Sequence, residues 1–294
     1  MFKGAWPALL SPTTSDGDLD VAALVRLTQA LLAKGAGGFY VCGSTGEGVF
    51  MTTHERKLLA EIVVAELRGA APVIVHVGCA ATREAVHLAK HAQSVGAAAV
   101  ASILPPFRRG VDSIYAHFEA IAAAASDLPF LPYLFGGEID AVSLMRELKR
   151  RIPNLGGAKY TGPNMFELSN LVSLAEEGWT LFSGMDEQCL FAAMVGAPAN
   201  IGSTLNPMVG VYRQMRDAYL RGDLSRASEL QLWANRITRI MHEFGFPGAL
   251  CEAMRLLELG CGEPRLPNLP LPGDRRRAFR EALAAERFYE IAAL

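Results

Sequence analysis

Apolar and polar positions in this chain follow two periods in turn. Short runs rich in Val, Ile and aromatic residues give way to longer stretches with the three-to-four spacing of amphipathic helices, and the pair recurs along most of the sequence. The pattern predicts strands at Gly4–Leu10, Gly38–Cys42, Pro72–Gly78, Ala98–Leu104, Phe130–Phe135, Leu155–Thr161, Trp179–Ser183 and Asn200–Thr204. Helices are predicted between and after them, at Val21–Lys34, Thr52–Arg68, Thr82–Val95, Val111–Ala125, Asp140–Arg151, Asn164–Glu177, Asp186–Val195 and Met208–Arg221. The second helix opens on Thr52-Thr53-His54-Glu55, the residue types of a capping box.

Eight strand–helix units without a break in composition predict an α/β fold of the closed (β/α)8, or TIM, barrel type. An open doubly wound sheet is the competing topology. It calls for a glycine-rich turn after the first strand, where this chain has Ser11-Pro12-Thr13-Thr14. The barrel is assigned to residues 1–222 and a C-terminal helical appendage to residues 223–294, with helices at Ser225–Phe244, Gly248–Leu259 and Asp274–Ala293 and a Pro-rich connection at Pro264–Pro272. The appendage is expected to pack on the barrel or on a neighbouring subunit.

Composition narrows the function classes. The chain has 294 residues, 51% hydrophobic and 20% charged, with a net charge of −2. A basic stripe is missing, which argues against nucleic acid as a partner. The longest apolar runs fall short of the roughly 18 residues of a membrane span, and no secretory signal is read at the N-terminus. The five cysteines are scattered and odd in number, a pattern expected of a reduced, cytoplasmic protein with no metal site. His87 and His91 stand four apart on a helix, but without an intervening Glu they are read as a surface pair.

Barrel chemistry is expected just after the strands, at their C-terminal ends. The sixth strand, Leu155-Gly156-Gly157-Ala158-Lys159-Tyr160-Thr161, carries one of only six lysines among 28 basic residues. An amine desolvated at the end of an apolar strand becomes a nucleophile, able to form a Schiff base with a ketone. The plainer alternative is a Lys whose stem is buried and whose head reaches water. After the second strand, Gly43-Ser44-Thr45-Gly46-Glu47-Gly48 offers two hydroxyls and close backbone approach, suited to a carboxylate or to an ordinary turn. Tyr133 ends the fifth strand, where its phenol can relay a proton. Ser183-Gly184-Met185-Asp186-Glu187 follows the seventh, with Asp186 either a helix cap or a ligand group. Gly202-Ser203-Thr204 follows the eighth.

Together, Gly43-Ser44-Thr45-Gly46-Glu47, Tyr133, Gly157-Ala158-Lys159-Tyr160-Thr161 and Gly202-Ser203-Thr204 resemble the dihydrodipicolinate synthase/N-acetylneuraminate lyase family, in order and in spacing. The resemblance implies a class I aldolase barrel, usually a homotetramer, that needs no cofactor beyond a covalent imine on Lys159. By that resemblance Lys159 condenses with a 2-oxo acid such as pyruvate, Ser44 and Thr45 hold its carboxylate, and Tyr133 relays protons. By the same resemblance, Thr161 matches the Thr that sialic acid lyases carry two residues after the Lys, and Gly184, Asp186, Glu187 and Ser203 match positions that bind the sugar tail. Two acidic acceptors suit a polyhydroxylated substrate.

The synthases instead place an Arg soon after the Tyr, and the stretch Leu134-Phe135-Gly136-Gly137-Glu138 has none. That stretch also departs from the family's usual Asn-x-Pro. The family's aromatic pair after the fourth strand is Phe107-Arg108 here, so Phe107 cannot relay a proton, and Arg108 either meets an acidic substrate or is a solvated loop charge. The expectation is a lyase that cleaves a 2-oxo sugar acid to pyruvate and an aldehyde. A dihydrodipicolinate synthase-like condensing enzyme and a 2-keto-3-deoxygluconate-type aldolase or dehydratase are the enzymatic alternatives. A barrel that merely binds a 2-oxo acid is the non-enzymatic one.

Overall fold

The apolar runs pair side by side in parallel. The computed structural model describes residues 2–294. Its strands are β1 Gly4–Pro7, β2 Phe39–Val41, β3 Val73–His76, β4 Ala99–Ile103, β5 Phe130–Phe135, β6 Gly157–Thr161, β7 Thr180–Ser183 and β8 Ala199–Gly202. They run in the order β1-β8-β7-β6-β5-β4-β3-β2. A parallel bridge between Ala8 and Tyr40, with the Leu9 N–H donating to the Tyr40 carbonyl at 2.9 Å, joins the two ends of this sheet. The result is a (β/α)8 barrel.

The connecting helices are α1 Val21–Ala33, α2 Thr53–Leu67, α3 Thr82–Ser94, α4 Val111–Ala124, α5 Ala141–Arg151, α6 Met165–Ser173, α7 Cys189–Met194 and α8 Leu205–Leu220. Side chains alternate across each strand, so the barrel has two cores. Trp6, Tyr40, Ile74, Leu131, Phe182 and Ile201 fill the interior. The opposite faces of the strands pack under the helices in one continuous apolar layer. Trp6 and Phe182 meet edge to face at 5.3 Å and plug the barrel below the site. Gly38 has to be glycine, because a Cβ there would lie 2.4 Å from the Trp6 ring.

Local signals hold where expected. Thr52 accepts from the Glu55 N–H and the Glu55 carboxylate accepts from the Thr52 N–H, closing the capping box. His91 Nε2 donates to the Glu61 carboxylate across α2 and α3 at 2.7 Å. Other boundaries shift. Asp186–Gln188 forms a 3-10 turn ahead of a short α7. The stretch expected as one helix over Asp274–Ala293 is two, α11 Gly273–Ala285 and α12 Phe288–Ala293. The break is Arg287, which adopts the left-handed region at φ 59° without being glycine, so the residue type gave no warning.

Helices α9 Leu224–Glu243 and α10 Phe246–Leu256 continue from α8. The polar groups of α9 are used on the barrel mouth. Gln231 Nε2 donates to the Asp186 carbonyl at 3.0 Å and Asn235 Nδ2 to the Glu187 carbonyl at 3.1 Å. Glu252 of α10 is fully buried and faces three arginines, with Arg280 of α11 at 2.7 Å, Arg276 at 3.7 Å and Arg255 closer still.

Candidate active site

Lys159 lies on β6, in register with Tyr133 of β5 and Phe182 of β7. Its side chain points into the barrel and the residue is only 7% exposed. The nitrogen sits 3.9 Å from the centre of the Tyr133 ring and 5.3 Å from that of Tyr40. Ring faces rather than an ion-pair partner surround the ammonium, a contact that holds a cation without neutralising it. The reading of Lys159 as a solvated strand-end charge does not describe this environment.

Thr161 follows two residues later on the same face of β6, and its hydroxyl donates to the Tyr133 hydroxyl at 3.3 Å. Accepting that bond leaves the phenolic proton free to point elsewhere. Gly184, just past β7, closes over this pair. Its N–H donates to the Tyr160 carbonyl at 2.7 Å. A Cβ at Gly184 would stand 1.9 Å from Thr161 Oγ1 and 2.9 Å from Lys159 Cε. The glycine is therefore what lets β7 pass beside the lysine.

On the other side of the mouth, Thr45 and Ser203 hydroxyls meet at 2.6 Å and join the turn after β2 to the turn after β8. Ser44 beside them is exposed. Both hydroxyl groups line a cleft of about 330 Å³ with Phe246, Leu250 and Asn268. Thr45, Ser44 and Ser203 thus come together at this cleft, and Lys159, Tyr133, Thr161 and Gly184 form a separate cluster that does not line it.

Asp186 and Glu187 behave differently from each other. Asp186 does not cap its own turn. Its Oδ2 accepts from the Thr204 N–H at 2.9 Å and from the Thr204 hydroxyl at 2.8 Å. Its Oδ1 is buried with no protein partner. Burial pushes this carboxyl up to about 6, against the pull of the Thr204 bonds and, more weakly, of the Lys159 charge. Glu187 is half-buried, with His242 Nε2 3.5 Å away. Arg108 pairs with Glu138 at 2.7 Å, tying the loop after β4 to the loop after β5, and Phe107 beside it is 86% exposed.

Two interior residues escaped the sequence reading. His76 ends β3 inside the barrel, where its Nδ1 lies 3.1 Å from the Cys42 carbonyl and its Nε2 accepts from the Ile103 N–H at 3.0 Å. Burial, then the positive charges of Arg56 and Lys159, lower it to about 3, so it is a neutral imidazole carrying its proton on Nδ1. The signal was there, a single His in the apolar run Val73-Ile74-Val75-His76-Val77. Tyr40 is the other, its hydroxyl buried with no protein partner and its acidity suppressed first by burial. Nothing in Phe39-Tyr40-Val41 distinguishes it from an ordinary strand aromatic.

Residues 1–286 match the model of the Dihydrodipicolinate synthetase family. The chain belongs to that family. Among its curated relatives, N-acetylneuraminate lyase A of Xenopus laevis is 34% identical over 279 residues, covering 92% of this chain and 90% of the relative. The N-acetylneuraminate lyase of Rhizobium meliloti (strain 1021) is 31% identical, covering 96% of this chain and 95% of its own. Among solved structures, the N-acetylneuraminate lyase (sialic acid aldolase) of Aliivibrio salmonicida superposes with a TM-score of 0.92 at 28% identity, over 97% of both chains. A catalytic lysine mutant of the Ruminococcus gnavus sialic acid aldolase superposes at 0.93 with 26% identity, over 99% of this chain and 97% of that one. As a member of the dihydrodipicolinate synthetase family, this chain is a class I aldolase, a lyase that works through a Schiff base.

Proposed function

We propose that the protein cleaves a 2-oxo sugar acid of the sialic acid kind into pyruvate and an aldehyde sugar, with Lys159 as the Schiff-base residue. What carries this reading is the placement of the Lys159 nitrogen, desolvated inside the barrel mouth and 3.9 Å from the Tyr133 ring. The Lys159 amine attacks the ketone carbon and water leaves, giving a protonated imine. That imine draws electrons from the adjacent C–C bond. Tyr133 relays the proton of the hydroxyl on the carbon that departs as aldehyde, its oxygen accepting that proton as its own phenolic proton passes to the substrate carboxylate, with the Thr161 hydroxyl bonded behind it. The enamine left behind is protonated, and water releases pyruvate and the free lysine.

Ser44 and Thr45 are assigned to the carboxylate, with Ser203 fixing Thr45 through their shared hydrogen bond. Gly184 leaves room for the imine, and Glu187 is the accessible acceptor for sugar hydroxyls, while Asp186, its Oδ1 buried and its Oδ2 held by Thr204, braces the turn that carries Glu187. No cofactor enters this scheme. The same reading takes the protein as a cytoplasmic homotetramer, in keeping with five free cysteines and with exposed apolar side chains such as Phe107 and Phe166. Among the described residues no helix is long and apolar enough to cross a membrane.

Pyruvate release from N-acetylneuraminate and from a shorter 2-keto-3-deoxy acid, compared in one assay, tests the substrate class. The sugar-tail assignment predicts that Glu187→Ala loses roughly tenfold or more on the long substrate and little on the short one, since a lost charged hydrogen bond costs about that much. Equal losses on both substrates would contradict it.

A further inference from the structure

We propose that Glu47 is a positioning residue, and that the C-terminal appendage acts through it to fix the turn carrying Ser44 and Thr45. The inference rests on the aldolase reading, which assigns that turn to the substrate carboxylate. Glu47 is buried and holds a left-handed backbone, φ 55° and ψ 27°, that residues with a Cβ seldom adopt. Both oxygens of its carboxylate are engaged by the distant Pro-rich connection. Oε2 accepts from the Arg265 N–H at 2.9 Å, and Oε1 accepts from Asn268 Nδ2 at 2.7 Å. These partners lie 218 and 221 residues away along the chain.

The clamp extends on either side. The Arg265 guanidinium donates to the Ser11 carbonyl at 3.2 Å and to Glu55 at 3.4 Å, and lies 3.9 Å from Glu47 itself. The Ser11 hydroxyl donates to the Gly46 carbonyl at 2.7 Å. Within the turn, the Glu47 N–H donates to the Ser44 carbonyl at 3.0 Å, and the Gly48 N–H to that of Gly43 at 3.0 Å. A shift of Glu47 therefore moves Ser44 and Thr45 with it. Since its two oxygens are already occupied, Glu47 acts on the turn and not on the substrate. Asn268 also lines the 330 Å³ cleft with Ser44 and Thr45, so the clamp forms part of that wall.

The test uses the full chain and follows borohydride trapping of pyruvate on Lys159 as a function of pyruvate concentration, alongside kcat. Asn268→Asp sets a carboxylate against the Glu47 carboxylate, and Glu47→Gln removes the negative charge that holds the Arg265 N–H and guanidinium and leaves Asn268 a neutral partner. Each is expected to raise the half-saturating pyruvate concentration roughly tenfold with kcat at saturation held within about twofold, the pattern of weakened substrate binding. The double variant Glu47→Gln/Asn268→Asp restores a donor–acceptor pair and is expected to return half-saturation to within about threefold of the parent. A purely structural residue would not show this split or this rescue. Unshifted half-saturation in the folded single variants, or a double variant no better than either, overturns the inference while leaving the aldolase reading intact. Failure of the parent protein to form any adduct at Lys159 overturns both.

Discussion

Lys159 keeps company with ring faces, and the groups that respond to its charge from further off are His76 and Asp186. These two pull the stability of the fold in opposite directions with pH. Asp186 is raised from 3.8 to about 6, chiefly by burial, so the stability it confers is complete below its ordinary value and is lost as pH climbs through 6. His76 is lowered from 6.5 to about 3, again chiefly by burial, so its contribution is complete above 6.5 and is lost as pH falls towards 3. Asp186→Asn abolishes the first effect and leaves the second. Between about pH 4 and about pH 7 the variant is expected to gain about 3 kcal/mol relative to the parent, measured by urea unfolding at each pH. A constant difference over that range would contradict the burial of an ionisable Asp186. Gly184 gives a second test at this scale. Gly184→Ala places a methyl group against Thr161 and the Lys159 stem, and kcat/KM is expected to fall about 100-fold or more, as a displaced reacting group demands. Near-parental activity would mean that β7 yields easily there.

Among the secondary elements, the strands were more legible than the helices. Phe130–Phe135 was read with its observed limits, and the Lys159 strand was placed with its end at Thr161, because apolar runs of this length bounded by turns leave little choice. The helix over residues 274–293 was misread, since its break at Arg287 depends on a backbone angle that the side chain does not advertise. Buried polar partners were equally hidden. Glu252 reads as one acidic residue in a helix, and only packing shows it sealed among Arg255, Arg276 and Arg280. Glu252→Gln takes the counter-charge from Arg280, while Arg255 and Arg276 keep Glu263, and a loss of about 1.5–3 kcal/mol in unfolding free energy is expected, the range of hydrogen bonds to charged groups. A loss under about 1 kcal/mol would mean that the network is no stronger than a surface ion pair.

Across the whole molecule, the period of the sequence carried the architecture. Eight alternations of short apolar run and amphipathic stretch permit few solutions, and the closed parallel barrel then brings strand ends together whatever their distance in sequence. That rule set Lys159 and Tyr133 at the ends of neighbouring strands, and the family resemblance added Thr161; in the fold the Thr161 hydroxyl and the Lys159 nitrogen both lie against Tyr133. It said nothing of His76 or Tyr40, whose interior positions depend on which face of the strand turns inward. Nor did it reach the Glu47–Arg265–Asn268 clamp, because a pairing over 218 residues leaves no local pattern. The division into a barrel and an appendage also obscured how closely the two meet at the mouth, where α9 holds the carbonyls of Asp186 and Glu187.

The account turns on covalent chemistry at a single nitrogen. Incubating the protein with pyruvate, reducing with borohydride and sequencing the peptides by mass spectrometry tests that directly. The expected result is one reduced pyruvyl adduct, on Lys159, which disappears in Lys159→Ala together with lyase activity. An adduct on another lysine, or lyase turnover that survives in Lys159→Ala, would contradict it.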